Sequence, residues 1–440
     1  MARAATLLRS LSLAILMGWS ATGSPSFAAG PVYAGFAIPT RDDEIVEQLP
    51  SHVGDAAQRR VARAAERAQR AQLQAHPDEL ALALQAARDA LARGRRLGDP
   101  RELGTVEAVL APWWKLAEPP PELRLMRATV LQSQHEFQAA LVDLDALLAR
   151  PGLAMQVRAQ AELTRAGVQQ VLGHLAEAEA GCRRLAGPAF MALGDGVHRN
   201  ALACLAELAS LQGRDTAASV TLARLANATG ADVPGDAPGW LQLMRAELAQ
   251  RRGDPAAGPL FAAALQSNPD VYTLCAYADW LLDAGRPGEV IVLLAGHEAA
   301  DPVLLRIALA ERAAYGARDA RTRRDTRLLG DRFDAALLRG DRSHGREQSR
   351  YELDLRGNPA AALRLAQGNW RVQHEPADAV ALVRAAHAGG RDAAADDVWR
   401  FLRETGGRDA RLAVGGAAAA PFLPDPAAAR GGPSMNGSPS

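Results

Sequence analysis

A residue that can reverse the chain recurs along the sequence at a nearly constant interval. Eight glycines and one histidine lie 31 to 41 residues apart, with a mean spacing of about 36.5 residues. Each stands between two stretches whose apolar residues recur at helical spacing, and each tolerates the positive φ that ends a helix. They are Gly98, His135, Gly173, Gly213, Gly253, Gly285, Gly316, Gly357 and Gly390. This interval is typical of helix pairs stacked as repeats.

Small and large apolar residues occupy matching places around these turns. Before His135 the first helix carries Ala128, and after it the second helix carries Phe137 and Ala140. The segment after Gly253 has the same order: Ala257, Phe261, Ala264, Leu265 and Pro269. Small residues let two helix backbones pack closely, and a large apolar residue fills the space between neighbouring pairs. The pattern therefore predicts helices throughout and indicates no strand.

This order of small, aromatic and proline positions resembles the second helix of a tetratricopeptide repeat (TPR). The resemblance covers residues 55–406. In its overall run, including DDEIVEQLP at 42–50, GDPRELG at 98–104 and APWWKLAEPP at 111–120, the chain is similar to exported bacterial TPR proteins. The resemblance implies an all-α, TPR-like superhelix (solenoid) of about nine helix pairs. It also implies a non-enzymatic scaffold without a cofactor, which binds a protein or peptide in its concave groove.

The two ends of the chain differ in composition from the repeats. Arg3 and Arg9 precede an apolar stretch at 11–19 and a small-x-small site at 26–28, as in a secretory signal peptide. We therefore expect a signal peptide at 1–28, an extended lead-in at 29–54, the repeat domain at 55–406 and a disordered Gly/Ala/Pro-rich tail at 407–440. The mature protein is expected in the periplasm or outside the cell, without a membrane span. An uncleaved amino-terminal segment would instead tether it as a membrane-bound assembly factor.

Charge gives no indication of a nucleic-acid partner. Fifty basic and fifty acidic residues cancel, and they are interspersed along the chain. This distribution is typical of solvated helix faces and lacks the basic stripe of a nucleic-acid interface. Lys115 is the only lysine, so arginine supplies nearly all of the positive charge.

The TPR resemblance also implies which residues face the concave groove. Groove positions lie one and four residues after the small position of each first helix: Thr129, Gln132, Gly167, Gln170, Glu207, Ser210, Glu247, Gln250, Asp279 and Leu282. The next inward positions hold Leu125, Leu163, Ala203, Leu243 and Cys275, where a clamp for peptide carboxylates needs Lys, Arg and Asn. An amide-rich groove that carries carboxylates favours a neutral or basic partner segment, because acidic partners would be repelled.

Three cysteines leave one unpaired in an exported protein. Cys182 lies on the second helix of the third pair and Cys204 on the first helix of the fourth, which are expected neighbours. One interpretation is a disulfide between them. The other is that both are small buried apolar residues. Cys275 is expected to be a buried free thiol.

Motifs for catalysis are missing from the sequence. The nine histidines have no metal-ligand spacing, and neither a phosphate-binding loop nor a nucleophile elbow occurs. The alternative to a scaffold is a cell-envelope polysaccharide hydrolase on a helical-repeat scaffold, which needs two carboxylates in a cleft. Glu107, Glu207 and Glu247 are the candidates for that pair.

Two polar segments near the carboxy-terminal end allow two interpretations. They span residues 344–351 and 369–378. As structure, Asn369 ends a helix, Trp370 fills the joint and Pro376 starts the next helix at its tolerated first-turn position. As function, the two segments form a polar recognition surface. The structural interpretation is favoured.

Overall fold

The computed structural model describes residues 56–227, 239–338 and 344–415, and within these ranges the chain is helical with no strand. The α-helices are α1 (Ala56–Ala75), α2 (Leu80–Leu97), α3 (Arg101–Trp114), α4 (Pro121–Ser133), α5 (Phe137–Leu148), α6 (Met155–Val171), α7 (Leu175–Ala186), α8 (Pro188–Met191), α9 (Asp195–Leu211), α10 (Asp215–Asn227), α11 (Gly239–Arg251), α12 (Ala257–Ser267), α13 (Val271–Asp283), α14 (Pro287–Leu294), α15 (Asp301–Tyr315), α16 (Ala320–Leu338), α17 (Gly345–Arg350), α18 (Pro359–Trp370), α19 (Pro376–Ala388) and α20 (Asp396–Thr405). A π-helical segment, Tyr351–Leu355, continues α17, and 3₁₀ segments lie at Asp392–Ala395 and Ala410–Gly415. The predicted all-α class is confirmed.

All nine predicted turn residues have positive φ. His135, with φ of 63°, is the one residue other than glycine with positive φ in the described ranges. Each turn separates two helices that pack against each other, and the resulting pairs are α2/α3, α4/α5, α6/α7, α9/α10, α11/α12, α13/α14, α15/α16, α17/α18 and α19/α20. The solenoid-like stack of nine helix pairs therefore follows the spacing of the turn residues, because each turn needs a residue that accepts left-handed backbone.

The core lies between consecutive helix pairs. The predicted small positions Ala128, Ala166, Ala206 and Ala278 are at most 2% exposed. Phe261 is fully buried and packs in the same cluster as Met244 of its own pair and Ala218 and Leu222 of the preceding pair. Burying a side chain of this size stabilises the fold by about 1.5–3 kcal/mol. The close approach at the alanines and the large residue between pairs thus hold successive units together.

The stack curves until its early units contact its late units. A Cβ placed on Gly98, at the end of α2, would lie 2.9 Å from Cγ1 of Val271, the first residue of α13. The His374 backbone N–H, just before α19, donates to the Val171 carbonyl at the end of α6, with an N···O distance of 2.7 Å. The chain therefore curves back around its concave side, which forms a partly open cavity where we expected an open groove.

Residues 406–412, called the strap here, run along the turns of the fourth and fifth units. Gly406 contacts the turn residue Gly213, and Ala410 lies 3.2 Å from a Cβ placed on Gly253. Just before the strap, the Phe401 ring similarly leaves no room for a side chain on Gly173. At each of these turns glycine is needed both for its positive φ and for the close approach of the carboxy-terminal chain.

The ordered chain extends past the predicted end of the repeat domain at residue 406. Residues 407–415 were expected to belong to a disordered tail, yet Leu412 is buried and Asp409 accepts hydrogen bonds from Arg411. The expectation rested on the glycine and alanine content of the segment, whereas its order comes from contacts with distant turns. The predicted signal peptide at 1–28, the lead-in at 29–54 and the tail from 416 onward lie outside the described residues.

The two cysteines expected on neighbouring helices form a disulfide bond. Cys182 of α7 and Cys204 of α9 form a disulfide with a Cα–Cα distance of 6.1 Å, and Cys275 is a buried free thiol. Both bonded cysteines belong to the apolar cluster between the third and fourth helix pairs. Within the described residues, no helix is both long enough and apolar enough to span a membrane.

Candidate functional site: a charged central cavity

The concave side of the stack encloses a cavity of about 1080 Å³. Its wall is formed by α6, α9, α11, α13, α15, α17 and α19, mostly first helices of successive pairs, together with the end of α2 and the strap. Six of the predicted groove residues line the cavity: Gln170, Glu207, Glu247, Gln250, Asp279 and Leu282. The register inferred from the small positions therefore holds for the units built on α9, α11 and α13.

Four predicted groove residues do not line the cavity. Thr129 is buried and donates its hydroxyl to the Leu125 carbonyl within α4. Gln132 is buried and lies beside Gly167 of α6, because α6 packs directly against α4 and covers this face. Ser210 is buried in the wall, where its hydroxyl accepts from Arg251. The assignments of Thr129, Gln132 and Gly167 to an open groove are wrong because α4 and α6 pack directly against each other, and that of Ser210 is wrong because its hydroxyl is bonded to Arg251.

One side of the cavity carries an excess of carboxylates. Glu207 of α9 and Glu247 of α11 both face it, and the Tyr272 hydroxyl donates to Oε1 of Glu247 over 2.8 Å. Arg251 Nη2 lies 2.6 Å from Oγ of Ser210 but 3.5 Å from Oε1 of Glu207. Oε2 of Glu207 is buried and makes no hydrogen bond with any described residue. The Glu207 carboxylate is therefore only partly compensated by the protein.

Arg346 lies at the centre of a second group of carboxylates. Its guanidinium contacts Glu347 at 3.3 Å, Glu375 at 3.0 Å and Asp378 at 3.2 Å. Asp378 also accepts from the Glu375 backbone N–H at 2.9 Å, which closes a capping box at the start of α19. One arginine thus serves three carboxylates, and this group continues the acidic side of the cavity.

The other side of the cavity is held by arginines around Asp279. Arg306 of α15 donates to both Asp279 oxygens at 3.1 and 2.6 Å, and Arg350 of α17 donates to Oδ1 at 2.9 Å. Two cations therefore compensate the Asp279 carboxylate. Asp279 is therefore a fixed part of the wall, and it is not an uncompensated acid facing a ligand as the sequence pattern suggested.

The two sides have opposite effects on carboxyl pKa values. Burial and, to a smaller extent, the Glu207 carboxylate raise the pKa of Glu247 to about 7 against the opposing effect of Arg251. Burial also raises the pKa of Glu207. At Asp279 burial acts in the same direction, but Arg306 and Arg350 outweigh it and hold the pKa well below its usual range. Near neutral pH the acidic side therefore holds exchangeable protons, whereas Asp279 is ionised.

Sequence reasoning missed the arginines of the cavity. Arg306 and Arg350 come from the seventh and eighth helix pairs, for which no groove positions had been assigned. The signal that could have found Arg350 is the polar segment 344–351, for which we favoured a structural interpretation; Arg306 lies outside that segment. That interpretation holds for the second segment in part: Trp370 is buried and Pro376 is the first residue of α19. Arg346, Glu347 and Arg350, however, line the cavity.

Two other candidate residues have no chemical role in the cavity. Glu107 of α3 is exposed and accepts from Gln134, so it cannot form a catalytic pair with Glu207 or Glu247. The Cys275 thiol lines the cavity, but burial raises its pKa to about 12. The thiol therefore stays protonated and is a poor nucleophile.

Comparison with known proteins gives no relative. No protein-family model matches the chain, and no curated protein sequence matches it either.

Proposed function

We propose that this chain is a non-enzymatic scaffold of the tetratricopeptide-repeat type, exported to the periplasm or secreted, which holds a segment of a protein partner in its central cavity. The observation that carries the proposal is the cavity itself. Seven first helices present polar and charged side chains to one enclosed space, as helical repeats do when they bind an extended or helical segment.

The charges of the cavity support a neutral or basic partner segment. Its acidic side, around Glu207, Glu247 and Glu375, has fewer arginines than carboxylates. An acidic segment there would meet carboxylates that are already poorly compensated, and the repulsion would weaken its binding. The arginines on the opposite side are engaged by Asp279 and leave less positive potential for an acidic partner.

The disulfide supports export. Disulfides persist in oxidising compartments and are rare where thiol reductants are abundant. The bond between Cys182 and Cys204 agrees with the amino-terminal pattern of a signal peptide at 1–28. Mass spectrometry of the mature protein tests this part of the proposal. A chain that begins near residue 29 is expected, and an intact amino terminus in a membrane fraction would favour a tethered assembly factor instead.

Affinity capture from the envelope fraction tests the scaffold function. Ala276 of α13 lines the cavity, and Ala276→Trp would fill space that the partner needs. Ala217→Trp adds the same ring to an exposed position on α10 and serves as the matched control. We expect the wild type and Ala217→Trp to retain the same partner, and Ala276→Trp to lose it. Retention by both variants at equal yield would contradict binding in the cavity.

A second candidate function is a cell-envelope polysaccharide hydrolase. It is favoured by one observation: Glu207 and Glu247 face the same cavity, and Glu247 has a pKa of about 7, which suits a general acid. Incubation with purified cell-wall glycan tests it. Release of reducing ends by the wild type and its loss in Glu247→Gln would establish the enzyme and overturn the non-enzymatic proposal.

A further inference from the structure

The acidic side of the cavity contains three carboxylates from three separate parts of the chain. Glu207 comes from α9, Glu247 from α11, and Glu375 from the residue that caps α19, and all three line the cavity. The charged and titratable groups that face them are Arg251, Tyr272, Arg346, Glu347, Asp378 and His135. Of the five carboxylates in this part of the wall, Glu347 is also compensated by Arg306, and the other four share Arg251 and Arg346.

Both arginines are already in use. Arg346 contacts Glu347, Glu375 and Asp378, and Arg251 directs its short contact to the Ser210 hydroxyl. Neither arginine can fully compensate Glu207 and Glu247. A further positive charge in the cavity would reduce this excess of negative charge.

An unused acceptor atom points to where that charge belongs. Glu207 is 6% exposed, and its buried Oε2 has no hydrogen-bond donor in the described structure. A buried carboxylate oxygen without a donor destabilises the free protein, and a bound donor would offset that cost. Glu247 receives one hydrogen bond, from Tyr272, and its other oxygen can also accept.

We propose that Glu207, Glu247 and Glu375 form a subsite that receives one basic side chain, arginine or lysine, of the segment bound in the cavity. This inference rests on the proposed scaffold function and names the chemistry that its partner must carry. Tyr272 is 39% exposed and its hydroxyl bonds to Glu247, so its ring lies beside the subsite. A guanidinium or ammonium group can pack on such a ring while it donates to the carboxylates.

Occupation of the subsite is coupled to proton release. Burial and the neighbouring carboxylate raise the pKa of Glu247 to about 7, and burial raises that of Glu207. A bound cation favours the ionised carboxylates and lowers both pKa values, so binding expels protons at or below neutral pH. Affinity for a basic segment therefore increases as pH rises towards about 7 and levels off above it. Below that value the change approaches about tenfold per pH unit for each proton released.

Titration calorimetry with two kinds of probe tests the subsite. The first probes are capped pentapeptides with a central arginine, lysine, citrulline or glutamate between alanines, and the second is methylguanidinium alone. The full chain should bind the arginine or lysine peptide at least tenfold more tightly than the citrulline peptide. Titration in buffers of different ionisation heat should detect released protons at pH 6.5 and fewer at pH 8.

Matched variants connect the probes to the carboxylates. Glu247→Gln should remove most of the preference for a basic peptide and most of the proton release, and Glu207→Gln provides a second variant with the same expectation. Glu118→Gln removes the same kind of charge from an exposed loop, where the Glu118 side chain is 88% exposed. This variant should change neither the preference for a basic peptide nor the proton release. Circular dichroism establishes that each variant is folded.

The outcomes separate the subsite from the scaffold function. Equal binding of the arginine and citrulline peptides would keep the cavity as a peptide site and overturn the basic subsite. Binding of methylguanidinium that depends on Glu247, without binding of any peptide, would support the subsite and contradict the peptide scaffold. If neither methylguanidinium nor a basic peptide binds, or if binding survives in both carboxylate variants, the subsite is overturned.

Discussion

Reduction of the disulfide should destabilise the third and fourth helix pairs selectively. Cys182 and Cys204 are separated by 22 residues, so the bond closes a loop of that length in the unfolded chain. The chain-entropy relation for such a loop gives a stabilisation of about 3 kcal/mol at 25 °C. Because contacts in a repeat stack are mainly between neighbours, the loss should be greatest in α7 and α9.

Native-state hydrogen exchange measured by mass spectrometry is the assay. A loss of about 3 kcal/mol increases the exchange of amides that open with these helices by on the order of a hundredfold. The measurement compares oxidised and reduced wild type at the same pH, with alkylation to establish that both thiols are free. Amides of α13, which is remote from the bond, should change much less.

A double variant, Cys182→Ser with Cys204→Ser, provides the control, because it has no bond to reduce and its exchange should not respond to reductant. The reasoning is refuted if fully reduced wild type keeps the protection of α7 and α9. It is also refuted if all helices lose protection to the same extent, since that would show that the units do not open separately.

Three other perturbations test the register, the charge cluster and the proton linkage. Ala178→Glu places a carboxylate in the buried face of α7 and should lower the free energy of unfolding by several kcal/mol. Ala180→Glu, on the exposed face of the same helix, should change it by about 0.5 kcal/mol or less. Equal melting temperatures for the two variants would contradict the repeat register. Arg346→Met should lower the free energy of unfolding by about 3–5 kcal/mol at pH 7.5, because it leaves buried carboxylates unpaired. Arg321→Met, at an exposed position, should lower it by under about 1 kcal/mol. Similar urea midpoints for the two variants would exclude a structural role for the carboxylate cluster around Arg346. Glu247 has a folded-state pKa of about 7, above an unfolded value of about 4.3, so the wild type loses stability as pH rises through this window. Glu247→Gln lacks that loss, so its melting temperature relative to that of the wild type should rise from pH 5 to pH 7.5. A difference in melting temperature that stays constant over this range would contradict the raised pKa.

The repeat register could be predicted from the sequence because its causes are local. A residue such as His135 or Gly213 is needed wherever the backbone takes positive φ, and the small residue Ala128 is needed where two helices meet closely. These requirements act over a few residues and produce a periodic pattern in the sequence. That pattern predicts the groove positions Glu207 and Glu247, because equivalent positions of successive units share one face.

The enclosure of the cavity could not be predicted in the same way. It depends on small rotations between units that add up over many pairs before Gly98 meets Val271 and the strap meets Gly213. No periodic signal in the sequence records the sum of these rotations. For the same reason no pattern in the sequence indicated that Arg306 and Arg350 would bond to Asp279 in the cavity wall.

Photo-crosslinking from inside the cavity tests the central claim most directly. A photoreactive amino acid replaces Ala276 in the cavity wall or Ala217 on the exposed face of α10, and the protein is irradiated in the envelope fraction. We predict that position 276 crosslinks to one partner through a segment that contains arginine or lysine, and that position 217 does not. Crosslinks to the same partner from position 217 but none from position 276 would place binding on the outer face and contradict the account.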